Sequence, residues 1–399
     1  MAVQKIAMIG GGLGSFMGPI HRKAIEKAGG LKIVCGAFGS TRQSSFDCQK
    51  PFGLGVREVY GSYRDMLRHQ SKLPKEERVA FVTAILPNTM HYPIAMMAMD
   101  CGVPVLGMTP FTCNMDEAAN LARKSLATGV PYRIATPYPA YSMLLKARNS
   151  VREGVLGRVR RFHVSMQLGW MAGRVEVEGN RQALWRTDRR QNGFGGVVND
   201  ASCACQYVME FITGYRISYV CASARACVPG RLIPDDATVL VRTEQGIEGV
   251  FLLSQIATGH REGLTIEVTG DAGALLWKES EPGRLVVISG DGSEKVYTDK
   301  TAPGGIGGVK TPFAAGEAYV EALARVYRDF ADTLAGRTRR SRTADNNRVL
   351  GMTIEEGVRS VAVSEAITRS IMPVQEDVPP PPKWVPVVTP TISLPTGLR

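Results

Sequence analysis

Residues 6–15 read IAMIGGGLGS, and the fold follows from how that turn is built. The apolar run VQKIAMI (3–9) ahead of it has the composition of a buried strand. The segment SFMGPIHRKAIEKA (15–28) behind it is amphipathic and stops at Gly29-Gly30. Gly10, Gly12 and Ser15 match G-x-G-x-x-[G/A], with a serine in the third place. Gly10 permits the tight turn, and Gly12 lets backbone N–H groups approach a pyrophosphate. The small Ser15 is expected to let the helix pack close to the strand, with its N-terminus facing the phosphates. A tight turn without a ligand is the plain alternative. The strand–turn–helix order favours a dinucleotide site that includes Gly10, Gly12, Leu13 and Gly14.

Outward from the turn, strands and helices alternate. LKIVCGAF (31–38), VAFVTAIL (79–86), VPVLGM (103–108) and YRIATPY (132–138) read as strands. Helical patterns lie between them, as in HYPIAMMAMDCG and MDEAANLARKSLATG. This predicts an α/β fold that begins with a Rossmann domain, a doubly wound parallel sheet, over residues 1–135. Past residue 140 the pattern changes. RVRRFHVSMQLGW, ISYVCASARACV, ATVLVRTEQ, GIEGVFLLSQIA, LTIEVTGDAG, ALLWKES and LVVISG are strand-like runs joined by turn residues. They predict a second α/β domain, 136–346, on a large open, mostly antiparallel sheet, with a helix over 198–214. Residues 317–335 and 347–370 read as helices, the second packing back near the first domain. The proline-rich tail 373–399 is expected to run extended, over the surface or across a neighbouring subunit.

With 399 residues the chain has the length of two domains. No apolar run reaches the ~18–20 residues of a membrane span, and the N-terminus lacks the order of a signal peptide. These features predict a cytoplasmic protein without a membrane partner. None of the eight cysteines forms a CxxC pair, so reduced thiols and no metal site are expected. The net charge of +11 is partly clustered in RVRRF (158–162), RTDRR (186–190) and RTRRSR (337–342). No nucleic-acid motif or aromatic ladder accompanies it. A solvated face, or attraction of an anionic cofactor or substrate, explains the charge better.

Several long segments resemble the glucose–fructose oxidoreductase / inositol dehydrogenase (Gfo/Idh/MocA) family, nearest its levoglucosan and inositol dehydrogenase-like group. They are IGGGLGSFMGPIHRKA, LPNTMHYPIA, TPYPAYSMLLKAR, LWRTDRRQNGFGGVVNDASCACQ, DDATVLVRTEQGIEGVFLLSQIATG and AYVEALARVYRDFADTL. The resemblance implies a Rossmann domain, a sheet domain and a substrate held between them against the nicotinamide. It also implies hydride transfer from a sugar or cyclitol hydroxyl, and dimers or tetramers through the open sheet face. Pro87, Asn88, His91, Thr109 and Pro110 fall on the family's nicotinamide-side segments. Tyr138, Tyr141, Trp185, Arg186 and Asp188 fall where the family lines its substrate pocket.

The same resemblance marks a departure. In the family, a Glu-Lys-Pro lysine and a histidine four residues after an aspartate handle the proton. Aligned on Pro110, the stretch GMTPFT (107–112) puts Thr109 at the lysine position. Aligned on Asp200, the histidine position is Ala204. A threonine hydroxyl is no base near pH 7, and losing general acid–base help costs roughly 10²–10⁴-fold in rate. Asp200, Tyr138 and His260 are the candidate substitutes. Asp200 could instead be a helix N-cap, Arg186 and Asp188 a salt-bridged loop, and His260 an exposed loop residue. After the second strand, Ser40, Thr41 and Arg42 stand where NAD sites place a carboxylate. Arg42 could hold a 2′-phosphate, which leans towards NADP over NAD. Three readings stay open: an NAD(P)-dependent oxidoreductase of a cyclic polyol with an altered proton relay, a redox-silent enzyme using bound NAD(P), and a non-catalytic partner of a paralogous subunit.

Overall fold

The structure is a computed structural model describing residues 3–193, 195–260, 263–299, 316–337, 349–371 and 383–393. The chain divides into two compact units. Unit 1 comprises 1–137, 320–358 and 390–399, and unit 2 comprises 138–319 and 359–389.

Unit 1 opens with β1 (Gln4–Gly10), α1 (Met17–Ala28), β2 (Leu31–Ala37), α2 (Arg42–Phe46), α3 (Tyr63–Lys72) and β3 (Phe81–Ile85). It continues through α4 (His91–Asp100), β4 (Val105–Gly107), α5 (Met115–Thr128) and β5 (Tyr132–Ile134). The five strands pair in parallel in the order β2-β1-β3-β4-β5. The order reverses between β1 and β3, so the crevice outside their carboxyl ends is the topological switch point where such sheets take ligands. Local signals set the helix ends. In α5, Asn114 caps the first turn by accepting from Glu117 N, and Gly129 ends the last one in a left-handed conformation.

In unit 2, the elements are α6 (Ser142–Arg152), β6 (Val159–Gln167), α7 (Arg181–Thr187), α8 (Arg189–Asn192), α9 (Val197–Thr213), β7 (Ile217–Arg225), β8 (Asp236–Thr243) and β9 (Glu248–Ser254). Then come β10 (Gly263–Gly270), β11 (Gly273–Lys278), β12 (Arg284–Ser289) and β13 (Glu294–Thr298). The chain ends with α10 (Glu317–Leu334), α11 (Ile354–Ser370) and β14 (Val385–Pro386). The nine-stranded sheet runs β13-β12-β11-β10-β6-β9-β8-β7-β14. Every pair is antiparallel except β6 with β9. The nearly all-buried α9 packs under β6, β9 and β10. On the other face Tyr219, Leu240, Leu252 and Val296 stand exposed. No helix among the described residues is long and apolar enough to cross a membrane.

The predicted Rossmann and mostly antiparallel sheets are both present. The expected helix at 347–370 starts only at Ile354. Met352 instead exchanges backbone hydrogen bonds of 3.0 Å with Ile134, beside β5. The helical periodicity overran because Met352 continues an apolar pattern that a strand edge uses equally well. The tail is extended where described, with Val385 and Pro386 pairing with β7. The rest of that prediction, and most of the RTRRSR cluster, lies outside the described residues.

Candidate functional site

At the end of β1 the chain turns with Gly10 at φ +74°. A Cβ on Gly10 would lie 2.1 Å from Ile85 O, and one on Gly12 would lie 2.4 Å from Phe38 O. The turn is therefore wedged between the carboxyl ends of β2 and β3, and no side chain fits there. Its close contact with the helix is made at Gly18, whose Cβ would meet Gly11 O at 2.1 Å. That corrects the role predicted for Ser15. Ser15 Oγ accepts from Gly18 N at 3.0 Å, bracing the first turn of α1. Gly11 N donates to Ile85 O and Ser15 N to Gly12 O. The amides of Gly12 and Leu13 have no partner among the described residues. A cradle that a Cβ would fill, with two unused N–H donors, fits a pyrophosphate. Arg22 holds the turn from behind, donating to Gly11 O at 2.7 Å with its guanidinium 4.0 Å from the Phe52 ring centroid.

Beyond β2, Ser40 and Arg42 are exposed. Thr41 caps α2, and Arg42 lies 5.5 Å from the Phe46 ring. Beyond β3, Asn88 is buried. Beyond β4, the Thr109–Pro110 peptide is cis, and Thr109 is half-buried. His91 does not reach outward as expected of a coenzyme contact. It is buried, with Nδ1 2.6 Å from Pro110 O and Nε2 3.2 Å from Leu86 O. Burial lowers its pKa, keeping the ring neutral. His91 therefore ties the segment after β3 to the segment after β4, and positions both.

In unit 2, Asp200 sits in the first turn of α9, whose N-cap is Gly196, so the capping alternative does not apply. Asp200 Oδ2 accepts from Arg186 Nε at 3.1 Å and from Gln255 Nε2 at 2.6 Å. Arg186 lies 4.0 Å from the Trp185 ring and 5.5 Å from the Trp170 ring, and its Nη1 donates to Gln182 O and Oε1. Ala204, one helical turn past Asp200, is partly exposed like it, while Ala201, Ser202, Cys203 and Cys205 are buried. The loop carrying Trp170 is fixed by Arg231, buried and bonded to Glu176, Asp235, Met171 O and Gly173 O.

Three expectations for side chains change. Arg186 pairs with Asp200 and not with Asp188. Asp188 caps α8, accepting from Arg190 N at 3.0 Å, and this bond with those from the Arg190 and Gln191 side chains pulls its pKa to about 2. The carboxylate is used within its own loop, which removes it as a substrate contact. His260 is exposed on a turn after β9, so it takes the loop reading. Tyr138 and Tyr141 are buried, with ring centroids 6.4 Å apart, and Tyr141 packs 5.5 Å from Trp277. Burial, then the charge of Glu279, pushes both phenols well above their usual pKa.

Sequence reasoning missed Gln255, Gln182, Trp170 and Glu279. The only available signal was for Glu279. It continues the inward alternation of Leu275 and Trp277 with a carboxyl.

Residues 144–276 match the model of the GFO/IDH/MocA C-terminal domain. The chain is 24% identical to an uncharacterized oxidoreductase, YfiI, of Bacillus subtilis (strain 168), over 91% of this chain and 93% of that protein. An inositol dehydrogenase homolog of Azotobacter vinelandii, solved in complex with NAD+, superposes with a TM-score of 0.83 at 24% identity, covering 96% of this chain and 97% of that one. Levoglucosan dehydrogenase, solved with NADH and L-sorbose, superposes with a TM-score of 0.74 at 19% identity, covering 98% and 100%. The chain thus shares its fold with these two solved structures and, over residues 144–276, matches the C-terminal domain of the GFO/IDH/MocA family.

Proposed function

We propose that the protein is a nicotinamide-dependent oxidoreductase acting on a hydroxyl or ketone of a sugar, cyclitol or related cyclic polyol. One observation carries the reading. The β1 turn, at the switch point of a parallel sheet, excludes any side chain at Gly12 and leaves the Gly12 and Leu13 amides without a partner among the described residues. Relatives of the same fold bound to NAD+ or NADH support the coenzyme. The inositol dehydrogenase homolog and the levoglucosan dehydrogenase among them support the substrate class.

Gly10, Gly12, Leu13 and Gly14 would hold the pyrophosphate, and Ser40 and Arg42 the adenosine ribose. Pro87, Asn88, Thr109 and Pro110 would border the nicotinamide, with His91 positioning them. The coenzyme supplies the hydride acceptor. Arg42, with no carboxylate at the end of β2, leans the preference towards NADP. Tyr141, Trp185 and Arg186 would orient the substrate, and Asp200 would receive a substrate hydroxyl. The open sheet face, with Leu240 and Leu252, suits a homo-oligomer contact. Eight free cysteines fit a cytoplasmic location.

Thr109 and Ala204 at the proton-handling positions favour a second reading, a redox-silent enzyme or a partner of an active paralogous subunit. Coenzyme reduction against a panel of sugars and cyclitols tests the first reading. Turnover with one of them is expected. No turnover, together with copurification of a paralog, would favour the second. Thr109→Lys combined with Ala204→His is expected to raise sugar oxidation.

A further inference from the structure

Three supports fix the Asp200 carboxylate, and all three lead back to Arg231 and Asp235. The first is the start of α9. Val197 N donates to Pro234 O at 2.9 Å. The N-cap Gly196, at φ +53°, lets that carbonyl approach, since a Cβ there would stand 2.2 Å from it. The second support is Gln255, whose side chain donates to Asp200 Oδ2. Its backbone is gripped on both sides: its N–H donates to Asp235 O at 2.9 Å, and its carbonyl accepts from Met171 N at 3.0 Å. The third is Arg186, which also donates to Asp200 Oδ2 and has the Trp170 ring 5.5 Å from its guanidinium. The second and third supports therefore meet at the peptide between Trp170 and Met171.

Arg231 holds these pieces to one another, and each of its five N–H groups has an acceptor. Nη1 donates to Met171 O at 2.8 Å and to Asp235 Oδ2 at 3.1 Å. Nη2 donates to Gly173 O at 2.7 Å and Glu176 Oε2 at 2.9 Å, and Nε to Glu176 Oε1 at 3.1 Å. The Asp235 carboxylate is fixed in turn by Cys227 N at 2.8 Å and Val228 N at 3.1 Å. The side chains of Arg231 and Asp235 are 1% and 2% exposed. Buried this deeply, the bonds of the network depend on one another, and loss of one donor loosens the rest. Charge alone does not explain the residue type. The planar fork reaches two carbonyls as well as two carboxylates, which the point charge of a lysine cannot do.

We propose that Arg231, with Asp235, is a positioning residue for Asp200: it sets where the carboxylate stands by holding Gln255, the Trp170–Met171 segment and the start of α9 in one frame. Arg231 is buried and acts only through these neighbours. The inference rests on the reading of Asp200 as the group that receives a substrate hydroxyl. Every residue in the network belongs to unit 2.

The test compares full-length wild type with Arg231→Gln, Arg231→Lys and Gln255→Leu, each labelled with fluorotryptophan. The chain has four tryptophans. In Arg231→Gln the fluorine NMR resonances of Trp170 and Trp185 are expected to move, while those of Trp277 and Trp384 stay. With the best polyol of the panel, kcat/KM should fall by about 10²-fold, and the coenzyme dissociation constant should not change. Arg231→Lys keeps the charge without the fork and should recover only a small part of kcat/KM. Gln255→Leu leaves Arg231 in place, and should lower kcat/KM while the Trp277 and Trp384 resonances stay. A folded Arg231→Gln with wild-type resonances and kinetics overturns the proposal. Full recovery in Arg231→Lys also overturns it, since a simple ion pair would then suffice. Should Arg231→Gln not fold, Gln255→Leu and Arg231→Lys decide, and wild-type kinetics in either one overturns the proposal. If wild type turns over no polyol, the dehydrogenase reading fails. Unmoved Trp170 and Trp185 resonances in Arg231→Gln or Arg231→Lys would then sink the anchoring separately.

Discussion

At the end of β1 the groups offered to a ligand are backbone amides, whereas around α9 and β11 they are side chains. In unit 1 the apolar core stops at Ile9, and the polar work passes to a turn whose shape is set by glycines. In unit 2 the core layer runs on, and Arg186, Asp200, Gln255 and Glu279 are set into its margin. The first arrangement needs only a local pattern and tolerates change elsewhere. The second depends on partners far apart in the chain, so each member is sensitive to loss of another. A coenzyme common to many reactions suits the first device, and a particular substrate suits the second.

The sharpest way to break this comparison is to remove a side chain from the second region. Arg186 and Asp200 are paired at 10% and 14% side-chain exposure. Arg186→Ala takes the guanidinium away from the Asp200 carboxylate and is expected to destabilise by about 3–5 kcal/mol. Denaturant unfolding measures this, and a change near zero would mean that the pair contributes nothing. Glu279 gives the next largest effect. Burial raises its folded pKa to about 7, above the ordinary 4.5. Its contribution is therefore fully present below pH 4.5 and lost as pH rises through 7. Relative to Glu279→Gln, wild type should lose on the order of 3 kcal/mol across that window. Parallel stability curves for the two proteins would contradict the burial argument.

Unit 1 carries a titration of opposite sign. Buried His21 has Nδ1 2.6 Å from Tyr327 OH, which is 2.7 Å from Thr83 Oγ1. Burial, then the nearby charge of Arg22, lowers its pKa from 6.5 to about 3. Its contribution is fully present above pH 6.5 and lost as pH falls towards 3. His21→Gln should flatten an acid-side loss of about 2 kcal/mol by pH 5, read from thermal or denaturant melts. The smallest effect concerns the adenosine end. Arg42→Ala is expected to weaken NADPH binding by about 1 kcal/mol and leave NADH unchanged. Equal losses for both coenzymes would remove the lean towards NADP.

What was legible in the sequence divides along the same line. The turn at Gly10–Gly14 and the βαβ order are local patterns, and the parallel sheet followed from them. The strands β6 to β12 were legible from their two-residue alternation. The exposed, charged β13 and the two-residue β14 have no such alternation and were missed. Gln255 could not be found because its partner Asp200 is 55 positions away and the bond depends on α9 packing against β9. Glu279 drew no reading of its own within the strand-like run ALLWKES, since its place beside Leu264 exists only once β10 and β11 pair. Asp188 and His260 were given chemical roles because the residue types permit them, while a short helix and a surface turn account for their positions.

The most direct test of the account is equilibrium titration of the purified protein with NADH and NADPH, followed by nicotinamide fluorescence, beside Gly12→Val. A side chain at Gly12 would collide with Phe38 O. Saturable binding by wild type, weakened by one to two orders of magnitude in the variant, is the predicted result. No saturable binding of either coenzyme by wild type, or equal binding by both proteins, would contradict it.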